Sequence, residues 1–242
     1  MLQQIFELWR WQDLLSEGGK FAKAFLVTLE VSALALLLSL ILGVVFGLMS
    51  TSENRLLKGI ARVYVEFFQN TPLPIQVFFV YYGLPYLGLV LDEFTIGVLC
   101  VGIYTGAYMS EVFRAGIQSI PKGQAEAAHS QGFTYVQTMR YIILPQTIKI
   151  VLPPLVNQMV NLIKNTSVLA MIAGGDLMYR SNAWATNGKM SYGPAYLLCG
   201  ILYFCLCFPL ATWARRYEEK LKSHDVQKND ETKQDDGEEV PA

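Results

Sequence analysis

SIPKGQAEAAHSQGFTYVQTMRYIILPQ, from Ser119 to Gln146, lies between long apolar runs and yet reads as a water-exposed helix, turn and second helix. Pro121 suits a first helical turn, where a missing N–H costs nothing. Ala125, Ala127 and Ala128 favour helix and present little bulk. Gly132 fits the left-handed position that ends a helix, and Thr134 and Gln137 have the spacing of a capping box for the next one. A smooth helix of small residues suits insertion into a partner's cleft. The plain alternative is a polar loop between two membrane spans.

The surrounding composition supports a membrane setting. The 242 residues are 52% hydrophobic and 16% charged, with mean hydropathy +0.31. Such a balance in a chain of this length points to several spans. The formal net charge is −1, but from Tyr217 to Ala242 there are four Lys against nine Asp or Glu. Nothing resembles a nucleic-acid surface. Cys100, Cys199, Cys205 and Cys207 all sit in apolar runs. Cys205 and Cys207 point about 200° apart on a helix and cannot share a metal, so all four read as small packing residues.

Five spans are expected, at about 24–49, 59–84, 94–116, 142–163 and 192–213, within a transmembrane region 21–216. Residues 1–20 form an amphipathic lead-in with Trp9 and Trp11 at headgroup level, and lack the layout of a cleaved signal peptide. Gly43 and Gly47 make a small-xxx-small face where another helix can approach. The second span is interrupted at Gln69-Asn70-Thr71-Pro72-Leu73-Pro74, where two prolines free backbone carbonyls. Such a break marks either a cavity wall or a structural kink. In the third span Tyr104, Tyr108 and Glu111 share a face, and Glu111 can pair with Arg114.

The fourth span carries Asn157, Gln158, Asn161, Lys164 and Asn165 within about 120° of arc. Asn157 falls about 22 Å from the entry near Ile142, past mid-bilayer. A polar stripe there faces the bundle interior or water, or glues one subunit to another. Residues 166–191 are less apolar and are expected along the outer interface. The acidic tail 217–242 lacks apolar periodicity and is expected to be disordered. Basic residues at Arg55, Lys58, Arg62, Arg114, Lys122, Arg140, Arg215 and Arg216 place one side of the layout, including Glu126, in the cytoplasm, with the N-terminus outside and the C-terminus inside.

Glu126-Ala127-Ala128, Gly132 and Ile143-Leu144-Pro145 resemble the EAA loop of ABC-importer permease subunits. The flanks Thr71-Pro72-Leu73, Tyr81-Tyr82-Gly83-Leu84-Pro85, Glu111-Val112-Phe113-Arg114 and Lys164-Asn165-Thr166-Ser167 are similar to the polar-amino-acid branch, the histidine, glutamine and glutamate permeases. The resemblance runs from about Lys20 to Arg216. It implies an all-α membrane protein of the type I ABC importer permease fold, with a cytoplasmic coupling loop at 119–140. It also implies a bacterial cytoplasmic membrane, a second permease subunit (identical or not), two ATP-binding cassette subunits and an extracytoplasmic solute-binding protein.

No GxxxxGK[ST] loop occurs, so ATP and Mg are expected on the partner ATP-binding subunit and no cofactor on this chain. No Ser-His-Asp set and no HExxH points to an enzyme. In the implied mechanism Gly123, Glu126, Ala127, Ala128 and Gly132 couple to the ATP-binding subunit. Asn70, Thr71, Tyr104, Tyr108, Asn157, Gln158, Asn161, Thr166 and Ser167 are the candidate substrate-binding residues. Branches that handle basic amino acids resemble Asn-Glu where this chain has Asn157-Gln158. The neutral amide favours a neutral or acidic polar L-amino acid. The alternatives are a basic-amino-acid permease of the same family, or a stand-alone channel or secondary transporter.

Overall fold

The computed structural model describes residues 7–187 and 192–238, so Met1–Phe6 of the lead-in, Lys189 and the last four residues of the tail lie outside it. The described residues are helical throughout, with no strand among them. Helix α1 (Leu8–Ser16) is followed at once by α2 (Gly18–Thr51). Then come α3 (Arg55–Gln69) and α4 (Leu73–Phe78), the latter extended by a π turn (Phe79–Gly83) and a 3-10 turn (Leu84–Leu87). Helix α5 (Glu93–Gln118) leads to the short α6 (Lys122–Ser130). A four-residue helix α7 (Tyr135–Thr138) passes through a π turn (Met139–Ile143) into α8 (Leu144–Asn165). A 3-10 segment (Thr166–Ile172), α9 (Leu177–Thr186) and α10 (Tyr192–Glu238) complete the chain.

Helices α2 and α5 make the most extensive pairing, and the paired glycines permit it. A methyl group on Gly43 would lie 2.7 Å from the Met109 Cβ, and one on Gly47 would lie 2.7 Å from the Phe113 Cβ. Real carbon contacts do not reach that distance, so the two backbones approach as only glycine allows. Val31, Ala35, Ile96, Val101, Leu162 and Leu169 fill the core between α2, α5, α8 and the 3-10 segment. Each buried side chain of this kind contributes about 1.5–3 kcal/mol when removed from water; where the alternative surroundings are lipid, close packing carries more of the stability.

Helix α3 is fastened to α5 by two side chains. The Tyr64 hydroxyl donates to the Ile103 carbonyl at 2.7 Å, and the Gln69 amide donates to the Ala107 carbonyl at 3.1 Å. Asp92 caps α5 by accepting from the Thr95 backbone at 2.9 Å and the Thr95 hydroxyl at 2.7 Å. These bonds favour its ionised form and hold its carboxyl below the usual range.

Among the described residues three helices are long and apolar enough to cross a membrane: Gly18–Thr51, Glu93–Gln118 and Tyr192–Leu221. The second span, expected at 59–84 with an interruption at residues 69–74, breaks there. It ends at Gln69 and restarts at Leu73, because Pro72 and Pro74 cannot continue the ladder. Residues 166–186, less apolar than the spans, pack against the bundle. Leu177 and Trp184 are buried against Leu14 of α1, Phe21 of α2, and Ala195 and Cys199 of α10. Arg180 pairs with Glu17 across the same junction.

The backbone of α10 continues helically to Glu238, into the acidic tail. The segment is rich in Glu, Lys and Gln, good helix formers, and it extends an existing helix, which spares the cost of a new nucleus.

Candidate functional site

Two faces of the molecule carry polar groups that packing alone leaves unexplained. The first follows the seam between α5 and α8. Its part nearer the C-terminal end of α8 is a cleft of about 430 Å3 lined by Tyr104, Thr105, Tyr108, Gln158, Asn161, Lys164 and Asn165. Tyr108 and Gln158 also line a second cleft of about 530 Å3, which extends past Glu111, Arg114, Val151 and Pro154 to Ser119. The two therefore share a wall and form a continuous groove along the seam. Helical period explains this wall: Tyr104, Tyr108 and Glu111 repeat at four and three residues, as do Pro154, Gln158 and Asn161.

Within the groove the Tyr104 and Tyr108 hydroxyls lie 3.1 Å apart, so one donates to the other. The Thr105 hydroxyl is 2% exposed and has no partner. At the other end the Arg114 guanidinium forks onto Glu111, donating from Nη2 to Oε2 at 2.6 Å and from Nε to Oε1 at 3.0 Å. A further bond from Nη1 reaches Gln118 Oε1 at 2.8 Å. That pairing neutralises Glu111. The cation of the first cleft, Lys164, has no carboxylate within ion-pair distance among the described residues.

Four candidate substrate residues thus meet in one cleft: Tyr104, Tyr108, Gln158 and Asn161. The other five lie elsewhere. Asn70 and Thr71 bond to their own helix, to the Glu66 and Phe67 carbonyls, both at 2.7 Å. Asn157 is exposed and lines neither cleft. Thr166 is buried, its hydroxyl donating to the Ile163 carbonyl. Ser167 donates to the Lys164 carbonyl and lines a third cavity with Met178, Tyr196, Tyr203 and Lys164, the last shared with the first cleft.

The break in the second span is also satisfied internally. The Gln76 side-chain amide donates to the Phe68 carbonyl at 3.2 Å and to the Thr71 carbonyl at 3.0 Å. The Phe68 carbonyl freed by Pro72 is therefore already engaged. Lys164, Thr105 and Gln69 were absent from the sequence-based site. Lys164 shares the polar stripe of α8 and could have been included on that ground.

The second face is the α6–α7 turn. Helix α6 ends in a left-handed residue, Gly132 at φ +82°. The Gly132 amide donates to the His129 carbonyl at 2.9 Å, and the Phe133 amide donates to Ala128 at 3.1 Å, the two bonds of a Schellman ending. Thr134 and Gln137 form the expected capping box, in which the Gln137 side chain accepts from the Thr134 amide at 2.9 Å. Gly123, Glu126 and Ala127 are exposed, whereas Ala128 is buried against the rest of the molecule. The outward face is thus smooth and carries one carboxylate.

Residues 39–223 match the family of binding-protein-dependent transport system inner membrane components. The chain belongs to that family. It is 43% identical over 209 residues to the probable glutamine ABC transporter permease protein GlnM of Bacillus subtilis (strain 168), covering 86% of this chain and 96% of the relative. It is 36% identical over 200 residues to the arginine transport system permease protein ArtQ of the same organism, covering 82% and 91%. The solved structure described as an amino acid ABC transporter with histidines superposes with a TM-score of 0.79 at 30% identity, over 86% of this chain and 97% of the other. The fold is that of type I ABC importer permeases, and the chain is a membrane-embedded permease subunit of an amino acid ABC transporter.

Proposed function

We propose that this permease carries a neutral or acidic polar L-amino acid inward through the α5–α8 groove, driven by ATP bound to separate subunits. The observation that carries the substrate class is Gln158, an amide at the point where both clefts meet. An amide can both donate and accept but cannot neutralise a guanidinium or ammonium. The relative named for glutamine supports the same class. The relative named for arginine keeps a basic substrate as the second reading.

A single groove is open on one side, so a second permease subunit, identical or not, closes the pathway, and the exposed Asn157 faces it. One of two ATP-binding subunits docks on the α6–α7 turn, with Glu126 in charged contact and Gly123 and Ala127 giving room for close approach. ATP binding moves this turn and opens the groove outward; hydrolysis returns it inward. An extracytoplasmic solute-binding protein delivers the amino acid. The N-terminus lies outside and the C-terminus in the cytoplasm, as the basic residues direct.

The test is ATPase activity of the complete complex in nanodiscs with its binding protein and each amino acid in turn. Stimulation by glutamine, glutamate or another non-basic polar amino acid is expected. Stimulation by arginine, lysine or histidine alone would overturn the substrate class, and absence of any ATP-binding subunit in the purified complex would overturn the mechanism.

A further inference from the structure

Beside the α6–α7 turn lies a groove of about 430 Å3 whose lining shares no residue with the α5–α8 clefts or with α6. Leu48 and Met49 at the end of α2, Leu57 in the first turn of α3, and Val136, Met139 and Leu144 between α7 and the start of α8 make its walls. The walls are apolar, and the volume is that of a ligand pocket. Among the described residues of the lining, Arg140 is the one charged side chain.

Arg140 is exposed and has no carboxylate within ion-pair distance among the described residues. Its guanidinium stands 5.7 Å from the centroid of the Tyr141 ring. Arg55 and Lys58, close to Leu57 on α3, add two cations against one carboxylate, Glu53, in the α2–α3 connection. Leu48 and Met49 are the last apolar residues of a membrane-length helix that ends at Thr51. The groove therefore has apolar walls where the hydrocarbon ends and cations where water begins. An apolar slot with a cationic rim between membrane helices fits a lipid with an anionic headgroup. A soluble anion makes no use of the slot, and a neutral lipid makes none of the cation.

We infer that this groove holds an anionic phospholipid of the cytoplasmic leaflet, with its phosphate on Arg140 and an acyl chain along Leu57 and Met139. The inference rests on the membrane orientation proposed above and adds a ligand outside the amino-acid pathway. A lipid seated there touches α2, α3 and the entry to α8 at once, next to the turn that couples to ATP.

In the experiment the complete transporter in detergent is offered equal amounts of phosphatidylglycerol and phosphatidylcholine, and retained lipid is counted by native mass spectrometry. One basic residue beside an anionic headgroup changes lipid binding about fivefold. Wild type is expected to retain phosphatidylglycerol preferentially. Arg140→Gln should reduce that preference about fivefold, and Arg140→Lys should keep most of it. Leu57→Asn, which makes the wall polar without adding charge, should lower retention of both lipids and leave their ratio unchanged. The ratio is the readout for Arg140, so a general loss of stability does not imitate the result. sn-Glycerol 3-phosphate, a headgroup without chains, is expected not to compete.

An unchanged preference in Arg140→Gln would overturn the site and assign this cation to the ATP-binding subunit. Competition by sn-glycerol 3-phosphate would overturn the lipid and assign the groove to a soluble phosphate. The orientation is read separately. Arg55→Cys is expected to resist a membrane-impermeant maleimide in sealed right-side-out vesicles. Labelling there would overturn the orientation and leave the lipid ratio as measured, so the two failures are distinct.

Discussion

The side-chain amide of Gln146 donates to the side-chain oxygen of Gln124, and also to the Ile142 carbonyl at 2.9 Å. Gln124 lies in α6 and Gln146 in the first turn of α8, so the exposed turn is fastened to the helix that carries Gln158 and Lys164. In the proposed coupling role of this turn, a displacement of α6 by a docked partner would reach α8 through this bond.

Breaking that link should separate ATP hydrolysis from transport. Gln124→Ala is expected to leave assembly intact, because the residue sits at the edge of an exposed helix. Uptake per ATP hydrolysed should fall several-fold, since a hydrogen bond of this kind contributes only about 0.5–1.5 kcal/mol and acts here by positioning. Simultaneous uptake and ATPase assays in proteoliposomes read the ratio. Gln146→Ala should match it, and the double variant should cost no more than either single change.

Gly132 gives a second handle on the same turn. A methyl group there would touch nothing, so the cost of substitution is the backbone conformation alone. A non-glycine residue in the left-handed region costs about 1–2 kcal/mol, less for Asn. Gly132→Ala should therefore lower transport several-fold and Gly132→Asn less. Gly132→Asp adds a charge beside the docking face and should uncouple most strongly while the complex still purifies. Normal uptake by Gly132→Asp would remove the turn from the coupling path.

The α2–α5 pairing predicts failure of a different kind. A Cβ on Gly47 would come within 2.7 Å of the Phe113 Cβ and 3.1 Å of the Ser110 carbonyl, two atoms that cannot swing aside. Gly47→Val should cost at least the 1–3 kcal/mol typical of overpacking. The expected result is reduced yield and a lower melting temperature by size-exclusion thermal assay. Gly59→Ala, where a Cβ meets only open space, serves as the neutral comparison.

What could be read from the residues was mostly local. The Gly132 ending, the Thr134–Gln137 box and the Glu111–Arg114 pair each depend on residues three or four apart, where helix geometry dictates the contact. The Gly43–Gly47 face was legible for the same reason, although its partner α5 was not. Relationships across a break or between helices were hidden. Gln76 answers the Phe68 carbonyl eight residues back, around two prolines, and no periodic pattern relates them. The Gln124–Gln146 link crosses a turn whose shape the sequence does not give. Asn70 and Thr71 were polar residues in an apolar span, but short side chains can bond their own helix, and these do.

Asp176 predicts how stability responds to pH. It caps α9 by accepting from the Met178 amide at 2.9 Å, yet it is fully buried and its Oδ1 has no partner. Burial penalises the charged form and pushes its carboxyl up to about 6 from an ordinary 3.8. The folded state therefore holds this proton more tightly than the unfolded state. Its contribution to stability is full below about 4 and is lost as pH rises through about 6. Asp176→Asn keeps a capping oxygen and removes the buried charge. It should raise the melting temperature of the detergent-solubilised complex at pH 7.5 and flatten the dependence between pH 4 and 6. A lower melting temperature at pH 7.5 would instead show that the ionised carboxylate is matched by a cation or ordered water in the assembled transporter.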